Sequence, residues 1–496
     1  MRQKASMRPI SNIAVIHVKG DRMTTVEQHF PADFMWGTAT SSYQIEGAVH
    51  EDGRGESIWD RFSHTPGKTK FGQTGDIACD HYHRYPEDLD LMRELGLGSY
   101  RFSLAWPRLF PEGKGKINQA GLDFYKRIIE GLHQRHLTPM ATLYHWDLPQ
   151  ALQDKGGWMN RDTALRFAEY AEAMYRQLGE SVPFWITHNE PWVAAFVGHF
   201  QGRHAPGIKD LPSAVKASHH LLYSHGLATQ LFRESKLAGQ IGITLNLTPA
   251  YPTHDTPDDH AAAWRNDGYG NRWFLDPIFR GSYPADTVEW FQQHHQIEMD
   301  YVQTGDLAVI QQPIDFLGIN YYFPNRISAA DESKFLALVN SPAIGETSFR
   351  GWEVVPAAFA DLLKRVQRDY GNTPIYITEN GSAFADLKRA ADGSVNDGDR
   401  MSYLHTHLEA VADAIAAGVP VKGYYAWSML DNYEWAEGYD ERFGIIEVDF
   451  ATQKRTPKRT ARWYQQIVAN NGLPSLPADV QALAERYRNC PIGPQD

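Results

Sequence analysis

Cysteine is nearly missing: Cys79 and Cys490 are the two in 496 residues, and neither belongs to a CxxC pair. A disulfide-stapled fold and cysteine-held zinc or iron–sulfur sites are therefore excluded, and a reducing, cytoplasmic compartment is expected. Long apolar runs are missing too, none approaching the roughly 18 residues that span a bilayer. The opening segment carries Arg2, Lys4 and Arg8 ahead of "IAVIHV", but that run is short, is broken at His17 and has no small-residue cleavage pattern, so neither signal peptide nor membrane partner is expected. Blocks of one charge are absent: 48 Lys plus Arg stand against 60 Asp plus Glu, a formal charge of -12 spread along the chain, which argues against a nucleic-acid partner. No complete GxGxxG or GxxxxGK[ST] loop and no HExxH helix occurs, which removes dinucleotide, phosphate-loop and zinc-protease readings; no cofactor and no metal are expected.

What the chain does have is 42% hydrophobic residues, enough for a large core. Eight short β-rich runs recur along it: "FMWGTAT" at 34, "SYRFSLAW" at 99, "PMATLYHW" at 139, "PFWITHNE" at 183, "IGITLNLTP" at 241, "DFLGINYY" at 315, "PIYITENG" at 374 and "KGYYAWSML" at 422. Amphipathic helical stripes lie between them, among them Phe167, Tyr170, Ala171, Met174 and Leu178; Phe359, Leu362, Leu363, Val366 and Tyr370; and Leu404, Leu408, Val411 and Ile415. Strand–helix repetition predicts parallel pairing through right-handed crossovers, and eight units close into one (β/α)8 barrel of the α/β class with elaborated strand-to-helix loops. Residues 29–496 then form a single catalytic domain, residues 1–28 a poorly anchored arm, and residues 324–352 a long connection at the pocket rim.

Enzymes on such barrels work at the C-terminal ends of the strands. That end collects Gln44, Arg101, His145, Trp146, Asn189, Glu190, Asn320, Tyr322, Glu379, Trp427, Glu434 and Trp435. Each has a bland reading: His145 as a satisfied structural histidine, Trp427 as a core aromatic, "NEP" as a strand stop, "ENG" as a hairpin turn because Asn-Gly is a strong turn signal. Two glutamates ending strands four and seven, each after a run too apolar for a surface strand, converge on one cavity. A facing carboxyl pair suits glycosidic bond cleavage, one group protonating the leaving oxygen while the other attacks the anomeric carbon or activates water. Flat aromatic faces suit sugar C–H groups, and the amides, histidine and carboxylates suit hydroxyls.

These residues resemble the retaining β-glycosidases of glycoside hydrolase family 1, over about Phe34 to Tyr464. "FMWGTATSSYQIEGA" at 34–48, "HWDLP" at 145–149, "HNEPW" at 188–192, "ITENG" at 377–381 and "WSMLDNYEWAEGY" at 427–439 carry the likeness in order. The resemblance implies Glu379 as nucleophile and Glu190 as general acid, then base, with Arg101 and Tyr322 flanking Glu379. It implies glycone contacts from Gln44, His145, Asn189, Asn320, Glu434 and Trp435 over a floor made by Trp427. Retention implies carboxyls about 5 to 5.5 Å apart rather than the roughly 6.5 to 9.5 Å of inversion. Glu190 marks an O-glycosidase rather than the sulfur-glycoside branch, and the acidic loop Glu434 to Asp440 marks an unphosphorylated glycone. Trp192 and Trp352 are the platforms expected on the leaving-group side.

The expected activity is exo-hydrolysis of terminal β-D-glucosyl residues from cellobiose, short cello-oligosaccharides and aryl or alkyl glucosides. A galactoside- or fucoside-leaning or transglycosylating member, and more distantly a non-catalytic sugar-binding relative, stay open, as does a homo-oligomer. The sequons "NLT" at 246 and "NGS" at 380 are set aside, since a glycan on Asn380 would crowd Glu379.

Overall fold

All eight apolar runs become neighbouring strands of one closed parallel barrel in the computed structural model, which describes residues 26–494. They are β1 (Met35–Ala39), β2 (Ser99–Ser103), β3 (Thr138–Tyr144), β4 (Phe184–Asn189), β5 (Gln240–Asn246), β6 (Phe316–Asn320), β7 (Ile375–Asn380) and β8 (Val421–Trp427). Each pairs with the next in sequence order, and β8 closes on β1 through Gly423 opposite Met35 and Trp427 opposite Ala39.

Alternation along the strands separates two apolar layers. On β7, Tyr376 turns inward and meets Phe184 and Phe316 at ring-centroid distances of 5.6 and 5.3 Å, while Ile375 and Ile377 face the helical layer. Met140, Ile186 and Tyr425 complete this plug, so the barrel floor is packed and the open space lies above it. Burying each such side chain stabilises by about 1.5–3 kcal/mol.

The predicted stripes lie on helices. Phe167, Tyr170, Ala171, Met174 and Leu178 form the buried face of Arg161–Leu178, whose first turn is capped by the Asn160 side chain. The second stripe lies on Pro356–Tyr370, which begins with proline where a missing N–H is harmless, and the third on Gly398–Ala416. Tyr370 and Ile415, at the ends of their stripes, are only partly buried.

One feature differs from expectation. Within the predicted arm of residues 1–28, residues 1–25 lie outside the described residues, but Val26–His29 is a strand paired antiparallel with Gly472–Pro474, so its end is anchored. The connection after β6 borders the pocket as expected, and it carries short strands of its own, Asn325–Ala329 and Leu338–Asn340, in a small sheet with Ala250–Pro252. Strands of three to five residues with no clear alternation leave little periodic signal. No described helix is long and apolar enough to cross a membrane.

Candidate active site

Above the packed floor, a cavity of about 610 Å³ opens at the C-terminal end of the barrel. Glu190, Asn320, Tyr322, Glu379, His145, Trp427, Glu434, Trp435, Trp192 and Trp352 line it. Gln44, Arg101 and Asn189 form the buried layer directly behind, each hydrogen-bonded to a lining residue. All thirteen residues given a role thus meet at one place, and Trp146 lines it with them.

Simple alternation would not aim Glu379 inward, because Tyr376 and Thr378 already point that way. The backbone resolves this with an extra residue: Ile377 pairs with Ile319 and Glu379 with Asn320, two steps on β7 against one on β6. β4 does the same, advancing from Ile186 to Asn189 while β5 advances from Gly242 to Thr244. Such bulges re-aim side chains at barrel rims. Beyond β4, Glu190 itself sits at φ 49, in the left-handed region, as do Trp146 (φ 76) and Trp435 (φ 54). For residues with a Cβ this costs about 1–2 kcal/mol each, a strain that concentrates where side chains must be aimed.

The two carboxyl groups have different neighbours. Arg101 donates from Nη1 to Glu379 Oε1 at 2.6 Å, and the Tyr322 hydroxyl donates to Oε2 at 2.7 Å. Glu190 Oε1 accepts from Asn320 Nδ2 at 2.6 Å. Asn189 ties the set together, its Oδ1 accepting from Arg101 Nη2 (2.6 Å) and from Asn320 Nδ2 (3.0 Å). Burial raises the pKa of both glutamates. The negative charge of Glu379 adds to burial at Glu190 and pushes it up to about 8, whereas Arg101 and Tyr322 act against burial at Glu379. Glu379 is accordingly the member that ionises first and Glu190 the one that keeps its proton.

His145 receives the Asn189 amide at Nε2 (3.0 Å), which puts its own proton on Nδ1, and that buried atom has no partner within the protein. Burial holds this imidazole neutral, well below the usual histidine pKa. Its ring lies nearly parallel to those of Trp427 and Trp435, 6.0 and 5.8 Å away. Gln44 Nε2 donates to Glu434 Oε2 at 3.1 Å. At the mouth, Trp192 packs edge-on against Tyr269 at 5.6 Å and Trp352 stacks on Phe323 at 4.7 Å, so each is both wall and packing.

The reading of "ENG" as a surface turn fails on geometry. Asn380 is fully buried, its amide donating to the Tyr321 carbonyl at 2.7 Å and its Oδ1 accepting from the Tyr424 hydroxyl at 2.7 Å. Gly381 is required by close approach: a Cβ there would lie 1.7 Å from the Trp427 carbonyl oxygen. The folded chain leaves no room for a glycan on Asn380.

Sequence reasoning missed Arg350, Glu441, Arg203, Asn246 and Phe443. All but Glu441 line the cavity, and Arg350 pairs with both Glu434 and Glu441. Arg350 lies in the long connection after β6 without a motif of its own; a basic residue two positions before a rim tryptophan was the one available signal. Among the described residues, no group of three or more His, Cys, Asp and Glu side chains is placed to hold a metal ion.

A family model described as "Glycosyl hydrolase family 1" matches residues 26–473. "Beta-glucosidase A" of Acetivibrio thermocellus is 50% identical over 445 residues, 89% of this chain and 99% of the relative. Among solved structures, the "AHE enzyme" from Alicyclobacillus herbarius superposes with TM-score 0.87 at 53% identity, covering 91% of this chain and 99% of that one. The "Family 1 b-glucosidase" from Thermotoga maritima does so with TM-score 0.87 at 46% identity, covering 91% and 100%. The described chain continues past residue 473 through a helix, Ala478–Arg488.

Proposed function

The chain belongs to glycosyl hydrolase family 1, and from that premise we propose that it is a retaining exo-β-glucosidase with Glu379 as nucleophile and Glu190 as acid and base. One observation carries the reading: two buried carboxyl groups face one cavity, one ion-paired to Arg101 and the other, with a pKa of about 8, held only by an amide. Nucleophile and acid need those opposite protonation states at the same pH.

The ionised Glu379 oxygen attacks the anomeric carbon while the bond to the leaving oxygen breaks; that oxygen keeps the electron pair and takes the Glu190 proton. The resulting ester neutralises Glu379, which removes the charge that had raised Glu190, so Glu190 becomes a competent base. It then takes a proton from water as the water oxygen attacks the anomeric carbon and frees Glu379. Arg101 and Tyr322 hold the attacking carboxylate in line throughout, and water exclusion in the buried pocket strengthens both contacts.

The glycone is held by the His145 Nδ1 donor, Asn189, Asn320, Gln44, Glu434 and Trp435, with Trp427 beneath the sugar's apolar face. Trp192 and Trp352 border the leaving group. The carboxylates of Glu434, Glu437 and Glu441 gather around Arg350, and three negative groups at this rim support an unphosphorylated glycone. Two reduced, buried cysteines suit a cytoplasmic setting.

The test is the stereochemistry of the first product. Proton NMR during aryl β-glucoside hydrolysis should show β-glucose before mutarotation produces the α anomer; α-glucose appearing first would contradict the double displacement.

A further inference from the structure

Glu434 is fixed at both ends. Gln44 donates to Oε2 at 3.1 Å, and Arg350 donates from Nη1 to Oε1 at 3.0 Å. The same Nη1 lies 2.9 Å from Glu441 Oε2, and the guanidinium sits 4.6 Å above the Trp352 ring. Three glutamates from the loop after β8 therefore converge on a single side chain supplied by the loop after β6.

That loop is built to deliver Arg350. Ser348 N donates to the Trp352 carbonyl at 2.8 Å, Gly351 N returns to the Ser348 carbonyl at 2.9 Å, and Phe349 N bonds the Ala383 carbonyl just past β7. Gly351, at φ 78, makes the reversal that puts Arg350 at the tip. At the loop base, buried Glu353 accepts from the backbone of Ile344 and Gly345 and from Arg326 Nε at 2.8 Å. Arg326 in turn donates to the Pro491 carbonyl at 2.6 Å, and Gly345 abuts Cys490. The segment beyond residue 473 thus clasps the loop from behind.

We propose that Arg350 is a positioning residue for sugar selection: it fixes the Glu434 carboxylate so that its remaining lone pairs meet the glycone hydroxyls, while Glu441 holds Arg350 in place. This rests on Glu434 contacting the glycone. A guanidinium serves where an ammonium would not fully do so, because its flat face lies on Trp352 while Nη1 meets both carboxylates. Arg350 touches no reacting atom in this scheme and acts through Glu434.

A double-mutant cycle on kcat/KM for an aryl β-glucoside tests it. In the wild-type background Arg350→Met should lower kcat/KM by about tenfold, the scale of one hydrogen bond to a charged group, chiefly through KM, and Arg350→Lys should recover part of the loss. In a Glu434→Gln background the same change should cost less than about twofold, since the group it positions has lost its charge. Equal losses in both backgrounds would overturn the proposal by assigning Arg350 a purely packing role with Trp352. A Glu434→Gln enzyme with unaltered kcat/KM would instead overturn the glycone reading beneath it. Should Arg350→Met fail to fold, Arg350→Lys carries the same cycle, with the same comparison of losses deciding it.

Discussion

Arg101 and Glu379 form a buried ion pair at 2.6 Å, with side chains 1% and 4% exposed, and the second arm of the same guanidinium reaches Asn189 at 2.6 Å. One side chain therefore sets the charge of one catalytic candidate and, through Asn189 and Asn320, the position of the other. Arg101→Met should cost about 3–5 kcal/mol of stability by stranding a buried charge and should lower kcat/KM by more than about a hundredfold. Losing a cation raises the Glu379 pKa, so the acidic limb of the pH profile should move to higher pH. Arg101→Lys keeps the charge but not the fork, and should retain that limb more nearly than it retains rate. Denaturant melts together with pH–rate profiles separate the two effects.

The basic limb reports the other carboxyl. With Glu190 near pH 8, kcat/KM should fall as pH rises through about 8, because the free enzyme then loses the proton it must give. Removing the neighbouring negative charge makes Glu190 easier to ionise, so Glu379→Gln should bring its pKa down. Carboxyl 13C chemical shifts of labelled Glu190 across a pH series would read this directly in the inactive variant.

Leaving groups that need no proton should tolerate loss of Glu190. Glu190→Ala should lower kcat/KM for cellobiose by about 10²–10⁴-fold, and far less for a nitrophenyl-type glucoside. Equal losses on the two substrates, measured side by side, would remove the acid role.

Gly381 stands between the end of β7 and the Trp427 carbonyl, where a methyl group would lie at 1.7 Å. Gly381→Ala must displace either the Glu379 strand end or the Trp427 backbone. It should lower stability by at least about 1–3 kcal/mol and cost more activity than unfolding explains, as thermal melts and kcat at a temperature below the transition would show.

The barrel was legible because its signal is long-range and redundant: eight apolar runs, with helical stripes between several of them, permit few other closed arrangements. Convergence of Glu190 and Glu379 followed from strand-end position alone. The means of aiming them did not, since the extra residue in β4 and β7 and the left-handed φ of Glu190 depend on pairing register rather than on local composition. The anchoring of Val26–His29 escaped notice because its partner lies more than 440 residues away, at Gly472–Pro474. Arg350 was missed for a related reason: its meaning comes from three glutamates on another loop.

The assignment of Glu379 and Glu190 is tested most directly by the anomeric configuration of the products that azide forms with two cavity variants. In Glu379→Gly, azide entering from the vacated nucleophile side should restore turnover of an activated aryl β-glucoside and yield α-glucosyl azide. In Glu190→Ala, azide should attack the covalent intermediate from the opposite face and yield β-glucosyl azide. Those two products by NMR are what the account predicts; the opposite pairing, or no azide product from either variant, would contradict it.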